Sequence, residues 1–294
     1  MIQQLKEESI PKGALYMTIG FLFIALYSAF FKAASESAST AWIIFISYLL
    51  AGIIQFCFMC HRGMKFFKTK RIGSYAGRIF FGLLSSFLFM IAITKISLLN
   101  ATLLFNTTPL FVPILAIFLL KTKVPFALWL SLILGFIGVV FIIKPQELLL
   151  RDPGNLIGLS AGLIQALAFI FVKKLTATEP VSRINFYFFT ISALMLLPYI
   201  LYSWENPPPL VWFWALCAGF MTFSAQFFIV KGYQYADASH VGPFQFASVL
   251  FSGIIGWLIW DQTTSFRDLL GCLFVISGGT LAIVLFPKSR SITR

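Results

Sequence analysis

The chain has 294 residues, of which 59% are hydrophobic and only 11% are charged. A soluble domain needs roughly a quarter of its residues charged, so this composition excludes an ordinary water-soluble protein and predicts a surface that faces lipid. The net charge of +12 fits either a nucleic-acid-binding surface or the basic inner loops of a membrane protein. All four cysteines lie in or beside apolar runs, so we expect no disulfide framework.

Ten apolar segments are long enough, at about 20 residues, to cross roughly 30 Å of hydrocarbon as helices. In chain order these spans are Gly13–Phe31, Thr40–Met59, Ile79–Ile96, Ala101–Leu120, Val124–Ile143, Asn155–Val172, Asn185–Leu201, Leu210–Val230, Val241–Trp260 and Leu269–Phe286. Several connections are short, which makes neighbouring spans antiparallel. We therefore expect an all-α integral membrane protein with ten transmembrane helices.

Placing both termini on the cytoplasmic side puts 17 of the 22 basic residues on that side. These are Lys6, Lys12, Arg62, Lys65, Lys68, Lys70, Arg71, Arg78, Lys121, Lys123, Lys173, Lys174, Arg183, Lys231, Lys288, Arg290 and Arg294. This asymmetry is the positive-inside pattern of a membrane protein. We expect a multi-pass protein of the cell membrane, most simply a bacterial inner membrane, with both termini cytoplasmic and no nucleic-acid partner.

A shift of 140 residues aligns the third to fifth spans with the eighth to tenth without a gap. The identities matched are Phe80/Phe220, Phe87/Phe227, Leu110/Leu250, Phe111/Phe251, Ile114/Ile254, Phe126/Phe266, Leu130/Leu270 and Gly138/Gly278. A repeat of five spans inserts its second copy upside down, as in many secondary transporters. Two inverted halves would enclose a site near the midplane of the bilayer.

Two long segments carry a resemblance to a known family. They are ITKISLLNATLLFNTTPLFVPILAIFLLKTKVPFALWLSLILGFIGVVFIIKP, residues 93–145, and KGYQYADASHVGPFQFASVLFSGIIGWLIWDQTTSFRDLLGCLFVISGGTLAIV, residues 231–284. The chain resembles the drug/metabolite transporter superfamily, specifically its ten-helix members with two EamA-type halves. The resemblance implies a first five-helix repeat over residues 1–150 and a second over residues 151–294. Lys121 departs from the family's usual glutamate, whereas Asp261 keeps the acidic character.

The fourth span carries a stripe of polar residues and prolines, Thr102, Asn106, Pro109 and Pro113, at spacings of 4, 3 and 4. Each proline frees a carbonyl in the preceding turn, which a polar cavity tolerates and lipid does not. Asn106 and Thr102 are therefore candidate substrate-binding residues.

The ninth span carries a matching stripe of Gln245, Ser248, Ser252 and Gly256, which follows a break allowed by Gly242 and Pro243. We place Gln245 and Ser248 in the candidate binding site. The alternative for both stripes is helix packing, since small and amide residues also hold membrane helices together.

Tyr27, Gln165 and Gln226, on the first, sixth and eighth spans, complete a plausible ring. Gln165 shares a face with Gly158 and Gly162, so that face could equally be a packing seam. Tyr27 could stack on a ligand or hydrogen-bond to it, or it could be an aromatic core residue. The family resemblance implies that spans one, three, four, six, eight and nine surround the cavity.

The leading hypothesis is a secondary transporter that moves a small metabolite by alternating access. The alternative is an integral-membrane enzyme such as a lipid-modifying transferase, but the two histidines, His61 and His240, are poorly placed for an acid/base pair. We assign no catalytic and no metal-binding residue. Cys57 to His61 matches the C-x-x-C-H haem motif but ends the second span beside Arg62, so we expect no cofactor.

The residue types suit an uncharged or zwitterionic substrate with an apolar part, amino-acid-like, nucleoside-like or S-adenosylmethionine-like. The expected partners are the bilayer and this small molecule, with a homodimer left open. Every acidic residue falls in a loop, at a span end or before the first span. Proton-coupled carriers usually place a titratable group inside the membrane, so we predict uniport or exchange.

Overall fold

A computed structural model describes residues 9–60, 67–96, 98–121, 126–143 and 153–260, together with 270–271, 273–274, 276–278 and 281. The elements of the described ranges are all helical. They are α1 (Ile10–Ala34), α2 (Thr40–Cys60), α3 (Ile72–Lys95), α4 (Leu98–Phe105), α5 (Thr108–Leu120), α6 (Phe126–Ile143), α7 (Pro153–Thr176), α8 (Val181–Tyr202), α9 (Pro209–Tyr235), α10 (Ala238–Val241), a 3₁₀ turn (Gly242–Phe246) and α11 (Ala247–Trp260).

Seven of the described helical segments are long and apolar enough to cross a membrane. They are Ile10–Ala34, Thr40–Cys60, Ile72–Lys95, Pro153–Thr176, Val181–Tyr202, Pro209–Tyr235 and Gly242–Ile259. Their outward faces carry large apolar side chains that would be costly in water; Leu201 is 70% exposed and Leu258 is 66% exposed. The expectation of a helical membrane protein is confirmed.

The predicted spans correspond to the helices in order, with α4 and α5 together forming the fourth and α10, the 3₁₀ turn and α11 forming the ninth. The predicted start of the third span was wrong. α3 begins at Ile72, seven residues before the predicted Ile79, so Arg78 lies inside a helix and not in a loop. Most of the predicted tenth span lies outside the described residues, as does His61 of the C-x-x-C-H sequence.

The fourth span is interrupted between Phe105 and Thr108, and the cause is Pro109. Proline has no N–H to donate to the carbonyl four residues earlier, and its ring clashes with that carbonyl, which belongs to Phe105. The chain restarts as α5 with Pro109 in the first turn, where the missing N–H costs nothing. The corresponding part of the ninth span is the 3₁₀ turn, with Pro243 in its first turn.

Close helix packing depends on small residues. α1 packs extensively on α9, and a Cβ placed on Gly20 would lie 2.7 Å from Ile229 Cγ1. α3 packs extensively on α7, and α2 lies against α8. Hydroxyls add ties between helices: Ser85 Oγ donates to the Ala161 carbonyl at 2.8 Å, and Ser131 Oγ donates to the Gly278 carbonyl at 2.7 Å. Close approach and such hydrogen bonds are the forces available to helices in lipid.

Candidate functional site

A cavity lies among α1, α2, α3, α4, α7 and α9, in the middle of the bundle. Its volume is about 30 Å³, which has room for water but not for a metabolite. Its polar lining residues are Tyr27, Tyr48, Ser86, Gln165, Thr222 and Gln226, and its aromatic lining residues are Phe21, Phe89, Phe105 and Phe169. Amide and hydroxyl groups set among aromatic rings are typical of small-molecule sites.

Three of the seven predicted site residues, Tyr27, Gln165 and Gln226, line this cavity. The Tyr27 hydroxyl is buried and finds no hydrogen-bond partner among the described residues. A buried polar group normally has a partner, so an unpaired hydroxyl at a cavity wall is a candidate ligand contact. The hydroxyl of Tyr48, in contrast, has a partner, because it donates a hydrogen bond to Ser86 Oγ at 2.8 Å.

Gln165 belongs both to the cavity and to a packing seam. The two glycines that precede it on the same face of α7 contact the fourth span: a Cβ on Gly158 would lie 3.2 Å from Leu104 Cβ, and one on Gly162 would lie 2.6 Å from Thr107 Oγ1. The glycines therefore form the seam, and Gln165, one turn further along, reaches the cavity. The packing alternative describes Gly158 and Gly162, whereas substrate binding by Gln165 stays a prediction.

The other four predicted site residues lie beside the cavity, at the joint between the two interrupted spans. Asn106 Nδ2 donates to the Thr102 carbonyl at 2.6 Å and to Ser248 Oγ at 2.9 Å. Gln245 Nε2 lies 3.5 Å from the Phe105 carbonyl. None of the four lines the cavity in this structure, and hydrogen bonding between helices describes the present contacts of Asn106, Gln245 and Ser248. The buried Thr102 hydroxyl has no partner among the described residues.

The carbonyl that Pro109 frees is the centre of this joint. Besides the amide of Gln245, the Phe105 carbonyl accepts a hydrogen bond from Thr108 Oγ1 at 2.6 Å. The Phe105 ring meanwhile lines the cavity. The proline thus links the break in the helix to the cavity wall through a single residue.

Sequence reasoning missed Arg78. Its side chain is 1% exposed, its Nη2 donates to Gln226 Oε1 at 2.8 Å, and its guanidinium carbon lies 4.0 Å from the centre of the Phe188 ring. The basic-residue pattern places Arg78 in an inner loop, because a charge usually ends a span. A signal was present in Gly82, four residues later on the same face: a Cβ there would lie 2.5 Å from Arg78 Nη1.

A sequence model of the EamA-like transporter family matches residues 11–144 and 152–284 of the chain. Three named relatives align over most of both chains. The riboflavin transporter of Vibrio cholerae is 28% identical, with 90% of each chain covered. The pseudopaline exporter of Pseudomonas aeruginosa is 22% identical, with 94% of each covered, and the S-adenosylmethionine uptake transporter of Rickettsia prowazekii is 25% identical, with 85% of this chain and 84% of the relative covered.

A solved crystal structure superposes on the chain with a TM-score of 0.75. The match covers 92% of this chain and 97% of the other, at 17% sequence identity. At that identity the likeness shows a common fold and says nothing about a common substrate.

Proposed function

Because the chain belongs to the EamA-like transporter family, we propose that it is a secondary transporter that carries a small metabolite across a bacterial inner membrane by alternating access. The observation that carries this proposal is the small cavity among six helices that is lined by Tyr27, Gln165 and Gln226. Small-molecule sites usually have volumes of about 300–1,000 Å³. At about 30 Å³ the cavity is closed to a metabolite, so transport requires the helices around it to separate.

We propose ten transmembrane helices in two inverted repeats, residues 1–150 and 151–294. In such a repeat, α1 of the first half corresponds to α7 of the second, and α3 corresponds to α9. The contact between α1 and α9 therefore corresponds to the contact between α7 and α3, and these are the two most extensive helix contacts described. The 140-residue shift also pairs Ser86 with Gln226 and Phe89 with Ile229, and all four residues line the cavity. Both features support the repeat.

The two interruptions support the same arrangement. The fourth span breaks after Phe105, and the residue 140 positions later is Gln245 in the 3₁₀ turn of the ninth span. Transporters with inverted repeats commonly interrupt a pair of corresponding spans where substrate binds. We therefore propose that Thr102, Asn106, Gln245 and Ser248 join Tyr27, Gln165 and Gln226 in contacting substrate when the joint between the two spans opens.

The three named relatives carry riboflavin, pseudopaline and S-adenosylmethionine according to their names, which are small metabolites rich in hydrogen-bonding groups. We propose a substrate of similar size that is amino-acid-like, nucleoside-like or S-adenosylmethionine-like. Amides and hydroxyls would bind its polar groups, and the four phenylalanines of the cavity would stack on a flat or apolar part.

The test is uptake into proteoliposomes that contain the purified protein, with radiolabelled riboflavin, S-adenosylmethionine and a panel of amino acids and nucleosides. We expect saturable uptake of at least one compound and a loss of that uptake in Gln165→Leu. The matched control is Gln234→Leu, which removes an amide from the end of α9 away from the cavity. Uptake no faster than in protein-free liposomes for every compound, in both directions, would overturn the proposal.

A further inference from the structure

Arg78 is a fully buried cation inside the helical bundle. It lies in the second turn of α3 and is 1% exposed, which makes it one of the largest completely buried side chains described. The guanidinium group stays protonated in proteins, so the charge cannot be removed by releasing a proton. A buried charge is costly unless an opposite charge and hydrogen bonds compensate for it.

The described surroundings of Arg78 supply only neutral compensation. Gln226 contributes an amide oxygen at 2.8 Å and Phe188 contributes a ring face at 4.0 Å. The titratable groups that interact with it electrostatically are the hydroxyls of Tyr48 and Tyr233, which are uncharged at neutral pH. The Arg78 Nε–H is buried and has no acceptor among the described residues.

The four carboxylates of the described residues are engaged elsewhere. Glu179 pairs with Arg183 at 2.6 Å, and Asp237 pairs with Lys173 at 2.9 Å. Glu205 accepts a hydrogen bond from the Ser39 amide at 2.8 Å, and Glu36 interacts electrostatically with Lys32 at the C-terminal end of α1. The guanidinium of Arg78 is therefore held without a described counter-ion.

Arg78 is connected to the cavity through a single side chain. Gln226 lines the cavity and accepts the hydrogen bond from Arg78 Nη2, and Tyr48 also lines the cavity. A second polar group without a partner lies on α8, one turn before Phe188, whose ring contacts Arg78. This residue, Asn185, is completely buried, and neither polar atom of its amide has a partner among the described residues. Gly82 leaves room for the guanidinium, because a Cβ there would lie 2.5 Å from Nη1.

From these contacts we propose that Arg78 binds an anionic group, a carboxylate or a phosphate, of the molecule that the cavity accepts. The inference rests on the proposed function and narrows the substrate class to molecules that carry such a group. An arginine fork matches the paired oxygens of both groups, and the Gln226 amide now occupying Nη2 would be displaced or shared. The anionic group of the ligand would then compensate the charge of Arg78, which has only neutral partners among the described residues.

The experiment measures the affinity of the purified protein for two matched pairs by thermal stabilisation in detergent. The carboxylate pair is L-methionine against L-methioninamide, and the phosphate pair is riboflavin 5′-phosphate against riboflavin. We expect the member that carries the carboxylate or phosphate in at least one pair to bind about tenfold or more tighter than the member that lacks it, since hydrogen bonds to charged groups are strong. The pair that responds identifies the chemical source of the anion.

Arg78→Gln should abolish that preference, because it removes the charge that the anionic group would bind. Arg78→Lys should keep part of the preference, since lysine retains the charge but not the planar fork. The matched control is Arg71→Gln, which removes the same charge from the exposed start of the same helix and should change nothing.

Wild-type protein that shows no preference for the anion in either pair, including no binding at all, overturns the inference, and so does a preference that survives in Arg78→Gln. If the members without the anionic group enter proteoliposomes but binding shows no preference that depends on Arg78, the inference fails while the transporter proposal stands. If the anions bind in an Arg78-dependent way but no compound crosses the membrane, the transporter proposal fails and the anion site stands.

Discussion

Asn106 and Ser248 hydrogen-bond to each other across the two interrupted spans. Asn106 Nδ2 donates to Ser248 Oγ at 2.9 Å, and Ser248 Oγ lies 3.2 Å from Asn106 Oδ1. Both side chains are buried. The pair joins the end of α4 to the start of α11 one residue away from Phe105, whose ring lines the cavity. Any motion that separates the two spans at this point must break these bonds.

We predict that Asn106→Ala and Ser248→Ala lower the thermal stability of the detergent-solubilised protein non-additively. Each residue also bonds within its own span, Asn106 to the Thr102 carbonyl and Ser248 to the Gln245 carbonyl, so only the double-mutant cycle isolates the bond between the spans. The coupling free energy from the double-mutant cycle should be about 0.6 kcal/mol, the average for hydrogen bonds between membrane helices. Ser203→Ala is the control, since its hydroxyl bonds only within its own helix. Strict additivity would mean that the pair does not hold the spans together.

We predict that Gly162→Ala is destabilising, because the added methyl group has no space. A Cβ there would lie 2.6 Å from Thr107 Oγ1 and 2.9 Å from the Leu104 carbonyl, and a backbone carbonyl cannot rotate away. Overpacking of this kind costs about 1–3 kcal/mol. Gly253→Ala is the matched control, since no atom lies within 4 Å of the added carbon. Equal melting temperatures for the two variants in the same detergent would contradict the packing described for α7.

We predict that Tyr27→Phe weakens transport without weakening the fold. The Tyr27 hydroxyl has no hydrogen-bond partner among the described residues, so its removal breaks no described bond. If it binds substrate, the lost hydrogen bond should raise the half-saturation concentration about 2- to 10-fold. Tyr16→Phe on the same helix is the control, since Tyr16 stacks on Tyr235 and does not line the cavity. Unchanged transport kinetics would place Tyr27 in the core alone.

The helices were largely predictable, because apolar runs of about 20 residues have few alternatives to a membrane helix. The start of α3 was not. In the sequence, Arg78 resembles a charge that ends a span, yet the helix extends beyond it through Tyr75 to Ile72. The sequence shows where a charged residue lies along a helix. It does not show the partners that compensate the charge, because Gln226 and Phe188 reach Arg78 from other helices.

Substrate binding by the seven predicted residues stays a prediction, but their burial could be predicted from the sequence. Polar stripes on the spans correctly indicated inward faces, and all seven predicted residues are buried. Which inward residues line the cavity and which hold helices together depends on the rotation of each helix by a few tens of degrees. Gln226 lines the cavity, whereas Asn106 hydrogen-bonds to Ser248. The sequence alone does not distinguish these two buried amides.

We predict that the loop before α3 and both termini face the cytoplasm. The protein should be tested in intact cells after replacement of all four native cysteines, two of which, Cys57 and Cys60, are exposed. A cysteine at the exposed position Lys68 should resist a membrane-impermeant maleimide, and one at Asn206, between α8 and α9, should react. Labelling in the reverse order would invert the topology derived from the basic residues.

The last prediction concerns energy coupling, for which the positions of the carboxylates are decisive. Of the acidic residues that the structure describes, Glu36 and Glu205 lie in loops beside helix ends, Glu179 lies between α7 and α8, and Asp237 follows α9. None lies within a described spanning helix. Arg78 is buried deeper, but a guanidinium group keeps its proton at physiological pH and cannot exchange it between the two sides.

A proton-coupled carrier needs a group that changes charge between its two exposed states, and such groups usually lie inside the membrane. We therefore expect uniport or exchange. In proteoliposomes with an inward proton gradient, no substrate gradient and no membrane potential, substrate should not accumulate above its equilibrium level. The matched measurement is counterflow: vesicles loaded with unlabelled substrate should take up labelled substrate transiently under the same conditions. Accumulation that a protonophore abolishes would instead assign proton transfer to a carboxylate at a span end, with Glu36→Gln and Asp237→Asn as the variants that identify which one.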